Sequence, residues 1–445
     1  MTSELLHLPG ESWRDLPAGQ QPDWPDQAAL REVLAELAIA PPLVYTEECD
    51  RLTGQLGAVA RGEAFVLQGG DCAETFAGMS AEATKNKLKT LLQMAVVFTY
   101  AGSMPVVKLG RLAGQYAKPR SGSTETKDGV TLPVYRGDAV NGFDFTARSR
   151  EPDPRRLWRA YQSSAITLNL VRAFATGGYA SLDQVHAWNQ DFVADSPAGA
   201  RYDGLARDID RALNFMRACG AEPEQLHQVE FFASHEGLLL DYEAALTRVE
   251  PTTGAAYATS GHLIWAGERT RELDGAHIAY LSGINNPVAV KLGPSTTPEE
   301  ALAYAEALNP RGEPGRLTFI TRMGAGRVRE RLPELVKAVD AAGVPIVWIC
   351  DPMHGNTFTG PTGHKTRLFA DVLDEVRGFF EVHRAAGTHP GGIHVEFTGE
   401  DVTECLGGGM EILFHHLPDR YESTCDPRLN RGQSLDLAFL AAQML

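Results

Sequence analysis

The sequence predicts an α/β fold, a (β/α)8 barrel with an N-terminal extension and extra helices inserted between strands two and three. Two observations predict it. Eight short, β-branched apolar runs alternate with helical patterns along the chain, as parallel strands buried on both faces and their crossover helices do. Nearly every run ends in a charged or metal-binding residue, and in such barrels the chemistry sits at the carboxyl ends of the strands.

The runs are EAFVLQ (63–68) before Gly69 and Gly70, MPVVKLG (104–110) before Arg111, and QVEFFA (228–233) before Ser234, His235 and Glu236. HLIWAG (262–267) precedes Glu268 and Arg269, and VAVKLG (288–293) contains Lys291. RLTFIT (316–321) precedes Arg322, PIVWIC (345–350) precedes Asp351, and GGIHVEF (391–397) contains Glu396. Between them, Leu88, Leu91, Leu92, Ala95 and Val96 repeat at helical spacing up to Gly102. Leu332, Leu335, Val336 and Val339 do so up to Gly343.

The interval from strand two to strand three is too long for a structureless loop. Tyr202, Leu205, Ile209, Leu213 and Met216 before Gly220 mark one inserted helix within about residues 122–227. At the N-terminus, WRDLPAGQQPDWPD reads as extended, and Leu30, Val33, Leu34 and Leu37 predict a helix after it. Residues 1–60 are expected to pack as an extension on a barrel of residues 61–445.

Composition bounds the partners. The chain has 445 residues, 43% hydrophobic and 22% charged, as a globular protein with a full core should. Its net charge of -16 disfavours nucleic acid and anionic lipid. Six cysteines without a CxxC pair point to a reducing cytoplasm. The N-terminal residues Glu4, His7, Pro9, Glu11 and Arg14 do not read as a secretory signal. The apolar stretch Leu91 to Val107 is broken by Gln93, Gly102 and Pro105, which argues against a membrane span.

In an acidic protein, clustered cations are informative. GRLAGQYAKPRS carries Arg111, Lys118 and Arg120 beyond strand two. Arg269, Lys291 and Arg322 lie at or near the ends of strands four, five and six. A barrel would gather them at one mouth, where they suit a multiply anionic substrate. The bland alternative is ordinary surface ion pairs. Cys72, His354, Glu396 and Asp426 lie on or beyond strands one, seven and eight. One sulfur, one nitrogen and two oxygens suit a borderline divalent ion with a position open to substrate. Each residue singly also fits a structural role. Three weaker signals are set aside: Gly324-Ala325-Gly326 as a dinucleotide loop, Ser234–His235 as a nucleophile pair, and His186 with Trp188, read as packing residues.

These residues fall in long motifs: LQGGDCAETF, GRLAGQYAKPRS, YRGDAVNGF, WAGERTRELDGAH, INNPVAVKLGP, TRMGA, CDPMHGNT, GTHPGGIHVEFTGEDVTECLGG and CDPRLNRGQSLDLAFL. From about residue 13 to 445 the chain resembles the class II 3-deoxy-D-arabino-heptulosonate 7-phosphate synthases. The resemblance implies condensation of phosphoenolpyruvate with D-erythrose 4-phosphate, the entry to the shikimate pathway. It implies a divalent metal such as Mn2+ or Co2+, held by Cys72, His354, Glu396 and Asp426. Phosphoenolpyruvate would meet Arg111, Lys118, Glu268, Arg269, Lys291 and Arg322, and erythrose 4-phosphate Lys118, Arg120 and Ser121. Lys118, Glu268, Lys291 and His354 would be the catalytic groups. A homodimer or homotetramer and aromatic amino-acid effectors would also follow. Two alternatives are a related enzyme using another sugar aldehyde and a catalytically silent regulatory paralogue.

Overall fold

The computed structural model describes residues 11–176, 179–195, 199, 202–219 and 229–445. Eight parallel strands close into a barrel in chain order. They are β1 (Phe65–Gly70), β2 (Val106–Arg111), β3 (Phe232–Glu236), β4 (Leu263–Ala266), β5 (Val288–Leu292), β6 (Leu317–Thr321), β7 (Val347–Cys350) and β8 (Gly392–Glu396). All eight expected runs form strands. Nearly every strand residue is buried, which is why the runs are continuously apolar rather than alternating.

Two boundaries differ from the sequence reading. Strand β1 runs on through Gly69 and Gly70, which pair with Val395 and Glu396 of β8. Gly70 has φ +149°, and a Cβ there would stand 2.5 Å from the Arg111 carbonyl oxygen; the glycine lets neighbouring strands approach at the rim. Strand β3 starts at Phe232 and includes Ser234, His235 and Glu236. Gln228, the expected start of that strand, and Gly220, the expected helix stop, lie outside the described residues, as do Glu4, His7 and Pro9.

The longer helices are α1 (Gln27–Ile39), α2 (Thr46–Ala60), α3 (Ala81–Gly102), α4 (Arg155–Thr176), α5 (Leu182–Asp195) and α6 (Asp203–Ala218). They continue as α7 (Ala276–Gly283), α8 (Pro298–Leu308), α9 (Val328–Ala341), α10 (Phe369–Ala386) and α11 (Arg431–Ala442). Caps set several of their ends. The Ser80 side chain accepts from Ala83 N at the start of α3, and Thr297 with Glu300 forms a capping box before Pro298. Helices α4, α5 and α6 occupy the interval between β2 and β3. No helix among the described residues is long and apolar enough to cross a membrane.

Helix α1 forms where the apolar spacing predicts it. The segment before it is not wholly extended, because Glu11–Asp15 makes a 3-10 turn. That turn seats Trp13, which is buried edge-on against Tyr280 of α7 at 5.9 Å. Gln20 accepts hydrogen bonds from Arg120 N (2.9 Å) and Arg136 Nη2 (3.2 Å). The N-terminal segment therefore touches the loop that follows β2.

A buried histidine outside the site makes stability depend on pH. His383 of α10 packs 4.5 Å from Phe379, and its Nε2 has no hydrogen-bond partner. Burial, aided by the charge of His389, pushes it down to about 3. The fold holds the neutral ring, so its contribution is complete above the ordinary value of 6.5 and is lost as pH falls from there toward 3. Between pH 7 and 5 this costs about 2 kcal/mol. Thermal melts should show a smaller acid loss for His383→Phe than for wild type; parallel slopes would refute this.

Candidate active site and metal centre

Strand register builds the site. Gly70 pairs with Arg111 on one side and with Glu396 on the other. Arg111 and Glu396 therefore stand at one level, separated by a residue without a side chain, and Arg111 Nη2 donates to Glu396 Oε1 at 3.1 Å. The same guanidinium bonds the carbonyls of Asp71 and Cys72 and contacts His394 Nε2 at 2.8 Å. Inside the barrel, His394 Nδ1 meets Gln68 Oε1 at 2.8 Å, and Gln68 donates to Ser234 at 2.9 Å.

The four proposed metal donors converge. Ligand atoms of Cys72, Glu396 and Asp426 lie within 4.8 Å of one another, and His354 Nε2 is 3.0 Å from Glu396 Oε1. Among the described residues, this trio is the one cluster of His, Cys, Asp or Glu with metal-site spacing. A single cation stands among all four donors. Lys118 Nζ is 3.0 Å from Cys72 Sγ, 3.0 Å from Glu396 Oε1, 3.4 Å from His354 Nε2 and 3.4 Å from Asp426 Oδ2. Donors that gather around an ammonium fit a divalent cation, with the mixed S, N and O set suiting a borderline ion.

Electrostatics favour the two carboxylates as ligands, whereas burial works against the Cys72 thiolate. Burial alone would raise Glu396, but His354, Lys118 and Arg367 hold its carboxyl well below the usual range. Burial likewise opposes the charge on Asp426, and Lys118 prevails in keeping it ionised. The Cys72 thiol is pushed up by burial, by its hydrogen bond with Cys425 and by Glu396. Behind the donors, His354 Nδ1 lies 2.7 Å from Asp351 Oδ2, which orients the ring. Arg367 Nη2 donates to Glu396 Oε2 at 2.9 Å, and Lys365 Nζ to Asp426 Oδ1 at 2.9 Å.

Beside this centre opens a cavity of about 420 Å3. Arg111, Lys118, Arg120, Ser121, Glu268, Arg269, Lys291, Arg322, His354 and Asp426 line it. Every cation singled out in the sequence reaches this one space. Lys291 Nζ pairs with Asp351 and sits 3.3 Å from both His354 Nδ1 and His394 Nε2. Burial lowers its pKa against the pull of Asp351. Arg322 Nη2 donates to the His354 carbonyl at 3.0 Å, and Arg269 Nη2 to Ser121 Oγ at 2.8 Å. Glu268 accepts from Arg271 at 3.1 Å, while its Oε2 has no hydrogen bond.

Sequence reasoning missed several participants. Glu236 projects into the cavity with Oε1 shielded and hydrogen-bonded to nothing; burial raises its pKa despite Lys118, Lys291 and Arg111 nearby. Asp351 and Glu236 both stand at strand ends, which was signal enough to include them. His394 shares a face of β8 with Glu396, two residues on. Arg367 carries no local signal. The readings set aside stay aside. Ser234 and His235 make separate bonds, to Gly110 and Glu243, and do not pair. The Gly324 amide is taken by Glu375. His186 and Trp188 are buried in α5.

A closed barrel whose mouth gathers cations beside a cluster of potential metal donors fits the class of barrel enzymes that handle multiply anionic substrates. The comparisons narrow this class. Residues 9–442 match the model of the class-II DAHP synthetase family. The phospho-2-dehydro-3-deoxyheptonate aldolase of Streptomyces coelicolor is 67% identical over 435 residues, 98% of this chain and 97% of that one. The phospho-2-dehydro-3-deoxyheptonate aldolase AroG of Mycolicibacterium smegmatis is 56% identical over 436 residues, 96% and 93% of the two chains. The chain belongs to the class-II DAHP synthetase family.

Proposed function

We propose a division of labour in this mouth for the family's reaction. The chain condenses phosphoenolpyruvate with D-erythrose 4-phosphate and water to give 3-deoxy-D-arabino-heptulosonate 7-phosphate and phosphate, the first step of the shikimate pathway. The observation that carries the assignment is the convergence of Arg111, Lys118, Arg120, Arg269, Lys291 and Arg322 on one cavity beside the clustered donors Cys72, Glu396 and Asp426.

Arg269, Lys291 and Arg322 would hold the phosphate of phosphoenolpyruvate, with Glu268 beside them, and Arg111 and Lys118 its carboxylate. Forked guanidinium bonds orient such groups. Lys118, Arg120 and Ser121 would take the erythrose 4-phosphate end. Cys72, His354, Glu396 and Asp426 would hold a divalent ion, Mn2+ or Co2+, which when bound supplies Lewis-acid polarisation of the aldehyde carbonyl. The third carbon of phosphoenolpyruvate then joins the aldehyde carbon, and positive charge develops at its second carbon. Water adds there and phosphate leaves. One water proton ends on the new hydroxyl and the other on the departing phosphate. Glu236, whose Oε1 has no hydrogen-bond partner, and Glu268, whose Oε2 lies 3.6 Å from Arg322, both line the cavity and are placed to carry that second proton.

A homodimer or homotetramer belongs to this reading. Feedback by aromatic amino acids is a further part of it.

The test is phosphoenolpyruvate consumption by purified protein with erythrose 4-phosphate and Mn2+, with and without chelator. Consumption that needs both aldehyde and metal is expected. Consumption with another sugar aldehyde alone would replace the acceptor, and none with any aldehyde would mark a silent paralogue.

A further inference from the structure

Arg322 and His354 leave the barrel on adjacent strands, β6 and β7, and no backbone ladder joins the loops that carry them. A buried carboxylate behind the site does so instead. Glu375 of α10 is fully buried. Its Oε1 accepts from the amides of Met323 (2.7 Å) and Gly324 (2.8 Å), directly after Arg322. Its Oε2 accepts from Asn356 Nδ2 at 2.7 Å, two residues after His354. Asn356 closes the circuit. Its Oδ1 accepts from Ala325 N at 3.0 Å, and its Nδ2 also reaches the Pro352 carbonyl at 2.9 Å.

The two loops are also in van der Waals contact at a point that excludes side chains. A Cβ on Gly355 would stand 2.4 Å from Gly324 N, and Gly324 itself has φ +85°. Arg322 then bonds the His354 carbonyl across the same seam. Three short bonds to one buried carboxyl group make a rigid tie, while burial raises its pKa to about 8 against the pull of the Met323 and Gly324 amides.

We propose that Glu375 and Asn356 are positioning residues that fix Arg322 and His354 relative to each other, so that phosphate binding and metal binding share one scaffold. The proposal rests on the roles assigned above to Arg322 and His354. Neither Glu375 nor Asn356 touches the cavity. Their effect runs through the backbone of the two loops, as supporting residues orient a ligand in metal sites.

Asn356→Ala removes the bonds to Glu375, Ala325 and Pro352 but leaves Glu375 bound to Met323 and Gly324. Mn2+ affinity of the substrate-free protein, measured by calorimetry, should fall about tenfold. KM for phosphoenolpyruvate should rise several-fold, because the Ala325 amide of the phosphate loop loses its tie to Asn356. Glu375→Gln keeps an acceptor for the Met323 and Gly324 amides and turns an NH2 toward Asn356. It should weaken Mn2+ as Asn356→Ala does while leaving KM within about twofold of wild type, since the phosphate loop stays tied. A purely structural role would lower Tm in both variants and leave Mn2+ affinity and KM unchanged, which would overturn the proposal. The opposite split in Glu375→Gln, KM raised with Mn2+ affinity kept, would overturn it too. Wild type is assayed alongside. If it fails to consume phosphoenolpyruvate, the functional reading fails, whereas an active wild type with unaltered variants sinks the tie alone.

Discussion

Lys118→Ala should reduce kcat/KM by about three orders of magnitude, the scale expected when a preorganised charge is removed from a dry site. Its ammonium stands where the metal donors and the substrate cavity meet, within 3.4 Å of Cys72, Glu396, His354 and Asp426. Burial opposes its charge, yet Cys72, Glu396 and Asp426 raise its pKa well above the ordinary value. In the variant, the proposed partner of the phosphoenolpyruvate carboxylate and of the aldehyde substrate's phosphate is gone. Mn2+ binding should move the other way. With the competing cation gone from among the four donors, calorimetry should show tighter binding than in wild type. Steady-state activity near the wild-type level would refute the catalytic role. Weaker Mn2+ binding would refute the competition.

Cys72→Ser is the second large effect. Serine replaces a soft donor with a hard, shorter and far less acidic one. The Asp426 amide, which donates to Cys72 Sγ at 3.3 Å, loses its partner as well. Mn2+ affinity should fall by about 100-fold, within the range that ligand-shell changes produce, and turnover should return in part at high Mn2+. Wild type should lose its activity to a chelator and regain it with Mn2+. Chelator-resistant turnover in wild type, or Cys72→Ser with unchanged Mn2+ affinity, would remove Cys72 from the metal site.

Much of this architecture was legible because barrel strands leave a strong trace. Burial on both faces forces continuous apolar runs, and the charged residue that ends each run marks the rim. That logic found Arg111, Lys291, Arg322 and Glu396. It failed where a glycine or a polar residue belongs to a strand. Gly69 and Gly70 read as a stop, although they pair along β8. Ser234 to Glu236 read as a loop, although they form most of β3. Tertiary partners were harder still. Arg367 becomes a partner of Glu396 only when the loop before α10 folds over β8, and nothing local announces it. Glu375 did leave a trace. Val372, Val376 and Phe379 define the buried face of α10, and Glu375 falls on that face. A carboxylate at an inward helical position needs a partner, and here the partners are the two loops of the site.

Cys72 and Asp426 are 354 residues apart, and Arg111 and Glu396 are 285 apart. Their meeting depends on the last strand closing against the first. During synthesis the ribosome delivers Cys72 long before Glu396 and Asp426 exist. A nascent chain thus holds strands one to seven without the carboxylates that complete the cage and neutralise Arg111. Loop closure over such distances is slow and is made late. A metal held by these four donors would therefore be captured only by the finished barrel. Such an ion would not be a nucleus around which this chain folds, in contrast to small metal domains that fold only around their ion.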